Sequence, residues 1–455
     1  MAAIVSLSAR VVPRASLGRR HQIVAQAASP AGSDGRPSAG RPVRAGRADQ
    51  QPLKAIISPS DAPAGSGRFD VHDKAPIVLT GKKTGVTVTG AWQPKGDCIL
   101  FTASLEQGTL YVGCDSNATA DRPGNGGLRI RAYPSAAAAK QEAINLSEAM
   151  SFKHGVYNTG FSGAKLVFDT KVPVQAIDKE QLMDRVAEIL ETLEARVYTG
   201  CDINTTDADM AYLDNISPFV LAGIGSAVDT NVATSAGAFA AVVRAVEHLK
   251  LPKDFKVLVQ GAGKVGTQLA KSLVNIGATV YTYDVCAERA DIPGCTNVSH
   301  MEDWASLDID VFSPNAISGV ITPDVAARVT CKAIVGAANI PFSNEEARHI
   351  TNSRGIIFVP EYITSAGAII VDSLEWSYDD FDTCTPALAY DFVYNTVFDK
   401  VGVFLDAMES VPVETLCHKQ LTATVSDVNI GETVVGSKMN EFSSSTTVDE
   451  EKWDV

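Results

Sequence analysis

The apolar run Lys256-Val-Leu-Val-Gln260 is followed without a spacer by Gly261-Ala-Gly263-Lys-Val-Gly266, and this glycine segment opens a predicted helix, Lys264–Asn275. Strand, glycine turn and helix in that order tightly restrict the fold. The first glycine serves the sharp turn and the second lets backbone approach a pyrophosphate. The third lets helix and strand pack closely, with the helix N-terminus facing the phosphate charge. Asp284 stands eighteen residues after Gly266, at the end of the next predicted strand. An acid there accepts hydrogen bonds from ribose hydroxyls and repels a 2′-phosphate, which favours NAD over NADP. Gly261, Gly263, Lys264, Val265, Gly266 and Asp284 are therefore the expected cofactor-binding residues. FAD is the lesser alternative, because that use of the motif is usually near a chain's start. An ordinary glycine turn is the structural one.

Beyond this fingerprint, short apolar runs alternate with helical stretches: Val280–Tyr283, Val311–Ser313, Ala333–Gly336 and Ile356–Val359. Such alternation predicts a parallel sheet covered on both faces. The expected fold class is α/β with two domains, an N-terminal α/β substrate domain over 69–235 and a Rossmann-like doubly wound domain over 236–372. A C-terminal helical segment, 373–435, would pack back across them, and 436–455 is expected to be a disordered tail. Within the first domain, two short runs at 98–112 have strand character. Helices are expected from Ser135 to Met150 and from Asp178 to Val197, the second with Asp178 as its N-cap.

Charge divides the chain unevenly. The 455 residues carry a net charge of −14. Residues 1–50 hold eight Arg, no Lys and two Asp, a sum of +6, so the remainder carries −14 − 6 = −20. An acidic body argues against nucleic acid or a membrane surface as partner. The longest apolar stretch, Ile216 to Val243, is broken by Asp229. The Arg-, Ser- and Ala-rich leader resembles an organelle transit peptide, with a linker, over 1–55. Val24-Ala-Gln-Ala-Ala28 is like a plastid processing site, and mitochondrial import stays open. Eight cysteines without a C-x-x-C pair and seven histidines without H-x-x-x-H give no zinc signature, so no metal is expected.

Three segments of the first domain are candidates for chemistry. Gly124-Asn-Gly-Gly-Leu-Arg129 offers backbone N–H groups beside a cation. Met150-Ser-Phe-Lys153 and Ser162-Gly-Ala-Lys165 place two lysines twelve residues apart, and Asp202 lies in Tyr198-Thr-Gly-Cys-Asp-Ile-Asn-Thr-Thr206. Singly, each has a bland reading as solvated lysine, loop glycine or capping acid. Their order before an NAD fingerprint resembles the Glu/Leu/Phe/Val amino-acid dehydrogenase family, in its leucine dehydrogenase-like branch, from about Gly124 to Trp376. Asn125-Gly126-Gly127-Leu-Arg129 matches its L-G-G-x-R, and the lysine spacing matches its M-x-x-K and G-G-G-K. Cys201-Asp202-Ile-Asn-Thr-Thr206 matches E-D-x-G-T-T, and Val232-Ala-Thr234-Ser-Ala-Gly237 matches P-V-T-A-Y-G. Ala333–Asn339 is similar to its A-G-x-A-N stretch, and Pro360–Gly367 to P-D-Y-x-x-N-A-G.

The resemblance implies NAD-dependent oxidative deamination of an L-amino acid, reversible as reductive amination, by a homo-oligomer. It implies that Lys153 with Gly126 and Gly127 holds the substrate carboxylate and that Lys165 polarises the 2-oxo group. Asp202 would move protons, while Thr234 and Asn339 would position nicotinamide and ribose. The family's pocket Leu is Asn125 here, the Asn of N-A-G is Ser365, the Glu of E-D is Cys201, and the third glycine of G-G-G-K is Ala164. Asn125 and Ser365 would contact substrate, and a polar residue at 125 leaves room for a polar, aromatic or smaller side chain. A specialised NAD-dependent enzyme of 2-oxo acids and a non-catalytic NAD(H)-binding protein are the alternatives.

Overall fold

The computed structural model describes residues 76–94, 97–221, 223, 226–378, 380–411, 418–424, 434–446 and 450–453. The expected transit peptide and linker lie outside the described residues.

The first sheet begins as an antiparallel meander of β1 (Ile77–Thr80), β2 (Thr87–Trp92), β3 (Cys98–Leu105) and β4 (Gly108–Asp115). Then come β5 (Gly124–Asn125), β6 (Leu128–Arg131), α1 (Ala136–Tyr157), β7 (Ser162–Thr170), α2 (Lys179–Thr192), β8 (Val197–Tyr198) and α3 (Asp207–Ile216). The strand order is β1-β2-β3-β4-β7-β5-β8, with β6 also on β7. β7 is antiparallel to β4 and parallel to β5 and β6, so it is the hinge of the sheet. Successive residues serve opposite faces. Ile99, Phe101, Leu110, Val112, Leu166 and Phe168 pack with Leu182, Val186 and Ile189 of α2. Leu100, Tyr111 and Val167 meet Ala139 and Ala143 of α1. The small alanines let α1 lie flat on its face.

Helix α2 starts where expected, with the Asp178 side chain accepting from the Gln181 N–H. Helix α1 outruns the expected end at Met150 and stops at Asn158, a left-handed residue with φ 46°. Lys153 therefore sits inside a helix, not in a solvated segment after one.

The second sheet follows α4 (Thr230–His248) and contains β9 (Lys256–Gln260), β10 (Thr279–Tyr283), β11 (Thr296–Asn297), β12 (Val311–Pro314), β13 (Ala333–Ile334) and β14 (Ile357–Phe358). All its pairings are parallel, in the order β11-β10-β9-β12-β13-β14. This is the doubly wound order, with its switch between β9 and β12. Val257 and Val259 face α4 and α5 (Lys264–Asn275), whereas Leu258 and Phe312 face α6 (Pro323–Arg328) and α7 (Glu345–Ser353). Two covered faces explain why these strands read as continuous apolar runs.

The chain closes with α8 (Glu361–Thr364), α9 (Gly367–Ser377), α10 (Pro386–Met408), α11 (His418–Thr424) and α12 (Val434–Ser445). α10, which starts from the Thr385 cap and Pro386, lies within the helical segment expected over 373–435. Of the tail expected to be disordered over 436–455, the described residues are ordered: α12 runs to Ser445 and Glu450–Trp453 form a helical turn. Phe442 of α12 packs edge-on to Phe392, at 5.6 Å between ring centroids. Trp453 is 7% exposed, donates its Nε1–H to Asp391 at 3.2 Å, and meets Phe239 of α4 and Tyr390 of α10. The polar Ser-Thr run hides this contact in sequence, because two aromatic residues far apart carry it. Among the described residues, no helix is long and apolar enough to cross a membrane.

Trp453→Ala should cost about 3 kcal/mol, the usual cost of truncating a buried aromatic. A thermal denaturation scan of the full chain checks this, and a loss confined to the C-terminal anchor leaves far-UV circular dichroism unchanged before the transition.

Candidate active site

Two lysines and an aspartate from separate elements of the first sheet converge. Lys165 lies on β7, opposite Gly113 of β4, and Lys153 lies on α1; each is 6% exposed. Asp202 follows β8 in a turn held by its own N–H donating to Thr205 Oγ1 at 2.8 Å. Lys165 Nζ donates to Asp202 Oδ2. Arg129 Nε donates to Asp202 Oδ1 at 3.1 Å, and Arg129 Nη1 to Glu142 Oε1 at 2.6 Å. Lysine, aspartate, arginine and glutamate thus form a row of alternating charge, which is what makes their burial tolerable.

The environment shifts these groups. Burial lowers the Lys165 pKa, against the raising effect of Asp202. Burial alone would raise Asp202, but Lys165 and then Arg129 outweigh it and hold the carboxyl well below its usual range. Burial pulls Lys153 down to about 8, with Glu361 partly opposing. Lys153 Nζ donates to Asn339 Oδ1 at 3.1 Å, joining α1 to the turn after β13. The next residue, Ile340, has φ 49°, a costly conformation for a β-branched side chain. Its N–H donates to Glu361 Oε1 at 3.2 Å, which holds the turn.

The two glycines explain how these charges come so close. A Cβ on Gly126 would fall 1.8 Å from the Ala164 carbonyl oxygen and 3.4 Å from Lys165 Cα; one on Gly127 would fall 2.5 Å from the Cys201 carbonyl oxygen and 3.0 Å from Asp202 Cβ. The Gly126 N–H is already donated to the Tyr198 carbonyl at 3.2 Å. This departs from the expected role of Gly126 as an amide donor to substrate: its missing side chain, not its N–H, is what the site uses.

The cofactor-loop residues also meet the physical demands read from sequence. Gly261 has φ 95°, and a Cβ there would strike Ala316. A Cβ on Gly266 would lie 1.8 Å from the Gly261 carbonyl oxygen, whereas Gly263 faces open space. No side chain caps the start of α5 at Gly263, so its first N–H groups are left for a ligand. A cleft of about 710 Å³ opens there, lined among others by Asn231, Val232, Lys264, Thr267 and Arg289. Asp284 Oδ2 accepts from the Ala262 N–H at 2.8 Å and Oδ1 from the Cys286 N–H at 2.9 Å, which fixes the carboxylate beside the loop. An uncapped helix start, an open second glycine and a cationic rim suit a dinucleotide. Val265 is half-buried behind the loop. Thr234 spends its hydroxyl on the Thr230 carbonyl within α4, and a Cβ on Gly367 would lie 2.5 Å from its N–H, so α9 packs tightly there.

Asn125 and Ser365 are both buried. The role of Arg129 was not read from sequence, where it figured only as a neighbouring cation. Glu142 and Glu361 were missed altogether; Glu361, at the acid position of the P-D-Y match, carried the available signal. Among the described residues, no cluster of His, Cys, Asp and Glu could hold a metal ion.

The sequence model of the glutamate/leucine/phenylalanine/valine dehydrogenases matches residues 282–385. A valine dehydrogenase of Streptomyces coelicolor is 30% identical over 283 residues, 59% of this chain and 76% of the relative. The chain belongs to the glutamate/leucine/phenylalanine/valine dehydrogenase family. With that family it is an NAD-dependent amino-acid dehydrogenase. A phenylalanine dehydrogenase of Caldalkalibacillus thermarum is also 30% identical, over 54% of this chain and 70% of its own length. The crystal structure of L-tryptophan dehydrogenase from Nostoc punctiforme shares the fold, with a TM-score of 0.56, 23% identity, and coverage of 74% of this chain and 93% of that one.

In this dehydrogenase, Gly126→Ala should push β5 off β7 and separate Lys165 from Asp202. A misplacement of about 1 Å costs on the order of 100-fold in rate. We expect kcat/KM to fall by at least that much while NADH fluorescence titration stays near wild type, since the glycine loop belongs to the other sheet.

Proposed function

We propose that the protein catalyses the reversible oxidative deamination of an L-amino acid to its 2-oxo acid and ammonium, with Lys165 and Asp202 as catalytic residues. The observation that carries this reading is the part-buried Lys165–Asp202 pair beside Lys153, itself bonded to Asn339 of the second sheet. NAD, held at the glycine loop by the uncapped start of α5, would supply hydride exchange with the substrate α-carbon. Asp284 disfavours a 2′-phosphate, which selects NAD.

Lys153 holds the substrate carboxylate as a charge-assisted hydrogen bond in a dry site. Its present partner, the neutral Asn339 oxygen, is the weaker acceptor and yields to a carboxylate. Lys165 donates to the oxygen of the 2-oxo group, or of the water that adds to the imine. Drawing Lys165 towards that oxygen loosens its hold on Asp202, so the carboxylate becomes more basic as the substrate is engaged. Asp202 then takes a proton from the amine or the attacking water and returns it in the reverse direction. Arg129, bound to the other oxygen of Asp202, keeps the carboxylate aimed. Thr234 and Ser365 line the nicotinamide side of the site. We also propose organelle import directed by residues 1–55, a plastid before a mitochondrion, and assembly as a homo-oligomer.

NADH consumption by the full chain with ammonium and a panel of branched, aromatic, acidic, basic and sulfur-containing 2-oxo acids tests the reading. Turnover of at least one is expected; silence across the panel with NADH still bound overturns it. Lys165→Ala and Asp202→Asn should each lower kcat by roughly 100- to 10,000-fold, the range of general acid–base catalysis, without loss of NADH binding. The proton on Lys153 gives a pH test. Its folded pKa is lowered to about 8, so the charge that binds the carboxylate is present below pH 8 and lost above it. For a 2-oxo acid, kcat/KM should therefore fall on the alkaline side of pH 8. Lys153→Met should remove that limb and cost about 10- to 150-fold in KM, the worth of a hydrogen bond to a charged group.

A further inference from the structure

Asn125 is the residue in this site that the chemistry above leaves without work. It lies on β5, beside the glycines that pack under Lys165 and Asp202. Its side chain is 1% exposed, and neither Oδ1 nor Nδ2 has a hydrogen-bond partner of good geometry. A buried amide unpaired at both ends is costly and rare in a native protein.

Helix α9 lies over this point. Ser373 Oγ donates to the Thr159 carbonyl at 2.6 Å, and the Trp376 ring packs on Phe161 at 5.4 Å. That seating brings Asp372, one residue before Ser373, to the side chain of Asn125. Asp372 keeps partial exposure. The other charge acting on it is a second carboxylate, Glu375, whose Oε2 accepts from the Gly223 N–H at 2.9 Å. No cation among the described residues acts on Asp372. Burial and then Glu375 raise its pKa well above the usual carboxylate value, and a cation placed beside it is what would favour its charged form.

An aliphatic guest would leave the Asn125 amide and the Asp372 carboxyl unpaired in a drier site. An acidic guest would meet two carboxylates. A guest ending in a cation gives Asp372 its counter-ion and Asn125 Oδ1 a donor, while Asn125 Nδ2 donates to Asp372. We infer that Asn125 and Asp372 are specificity-determining residues and that the substrate is a basic L-amino acid, its ammonium or guanidinium group seated between them.

This inference rests on the amino-acid dehydrogenase reading, and the test separates the two. NAD reduction by the full chain is measured with lysine, ornithine and arginine, with norleucine and phenylalanine, and with glutamine. The expected result is a kcat/KM for at least one basic amino acid ten-fold or more above that of norleucine, which has the same chain length as lysine without the charge. Asp372→Leu should invert that order, and Asp372→Asn should lower kcat/KM for the basic substrate at least ten-fold more than it lowers that for norleucine. Norleucine or phenylalanine equal to or above every basic substrate in the wild-type enzyme overturns the inference while leaving the dehydrogenase standing. Glutamine equal to lysine overturns the cationic assignment. Silence with every substrate fails the parent reading instead. The wild-type ratio is independent of whether the Asp372 variants fold.

Discussion

The Lys165–Asp202 ion pair is the constraint around which the first sheet is built. Lys165 is buried and Asp202 half-buried, and neither charge could stand there alone without cost. Bringing them together demands that β5, β7 and the turn after β8 approach more closely than side chains allow. Gly126 and Gly127 supply that approach. Arg129 and Glu142 extend the pair into a row, so that the cluster as a whole is close to neutral. The geometry of this charge row and the strand packing are therefore one feature: loosening the strands separates the charges, and removing one charge leaves its partner unpaired.

The second sheet contributes differently. Its parallel order places the glycine loop at the topological switch between β9 and β12, where the loops diverge and a cleft opens. The Asn339–Ile340 turn reaches back from this sheet to Lys153, and the strained Ile340 is pinned by buried Glu361. The bond between Lys153 and Asn339 thus links the cation proposed to hold substrate to the sheet that carries the glycine loop. The C-terminal chain adds a brace. α10 runs along α4, and Trp453 with Lys452 locks onto Asp391 of α10, so the helix that carries Thr234 is supported from behind.

Much of this was legible in the residues. The glycine triplet, its flanking strand and helix, and Asp284 have local causes, since a turn with φ 95° at Gly261 and an uncapped helix start are settled within a few residues. The continuous apolar strands at 257–260 and 311–313 read correctly because both faces of the sheet are covered. Lys153, Lys165 and Asp202 could be singled out by spacing and by the family they resemble. What could not be read depended on distant partners. Met150 looked like a helix end although α1 runs on to Tyr157, because packing on β7 overrides local preference there. The Ser-Thr tail looked unordered because its two anchoring aromatics, Phe442 and Trp453, find partners some 50 to 200 residues earlier in the chain.

The sequence by itself determined the cofactor loop, the parallel sheet and the set of ionisable residues, because each of these is written in short-range spacing and composition. The tertiary structure alone decided what those residues do to one another. It made Gly126 a spacer instead of a donor and joined Arg129 to Asp202. It also carried α9 across the site, so that Asp372 meets Asn125 nearly 250 residues away. Pairing of buried charges is set by distances across strands and helices, and no local pattern in the chain encodes those distances.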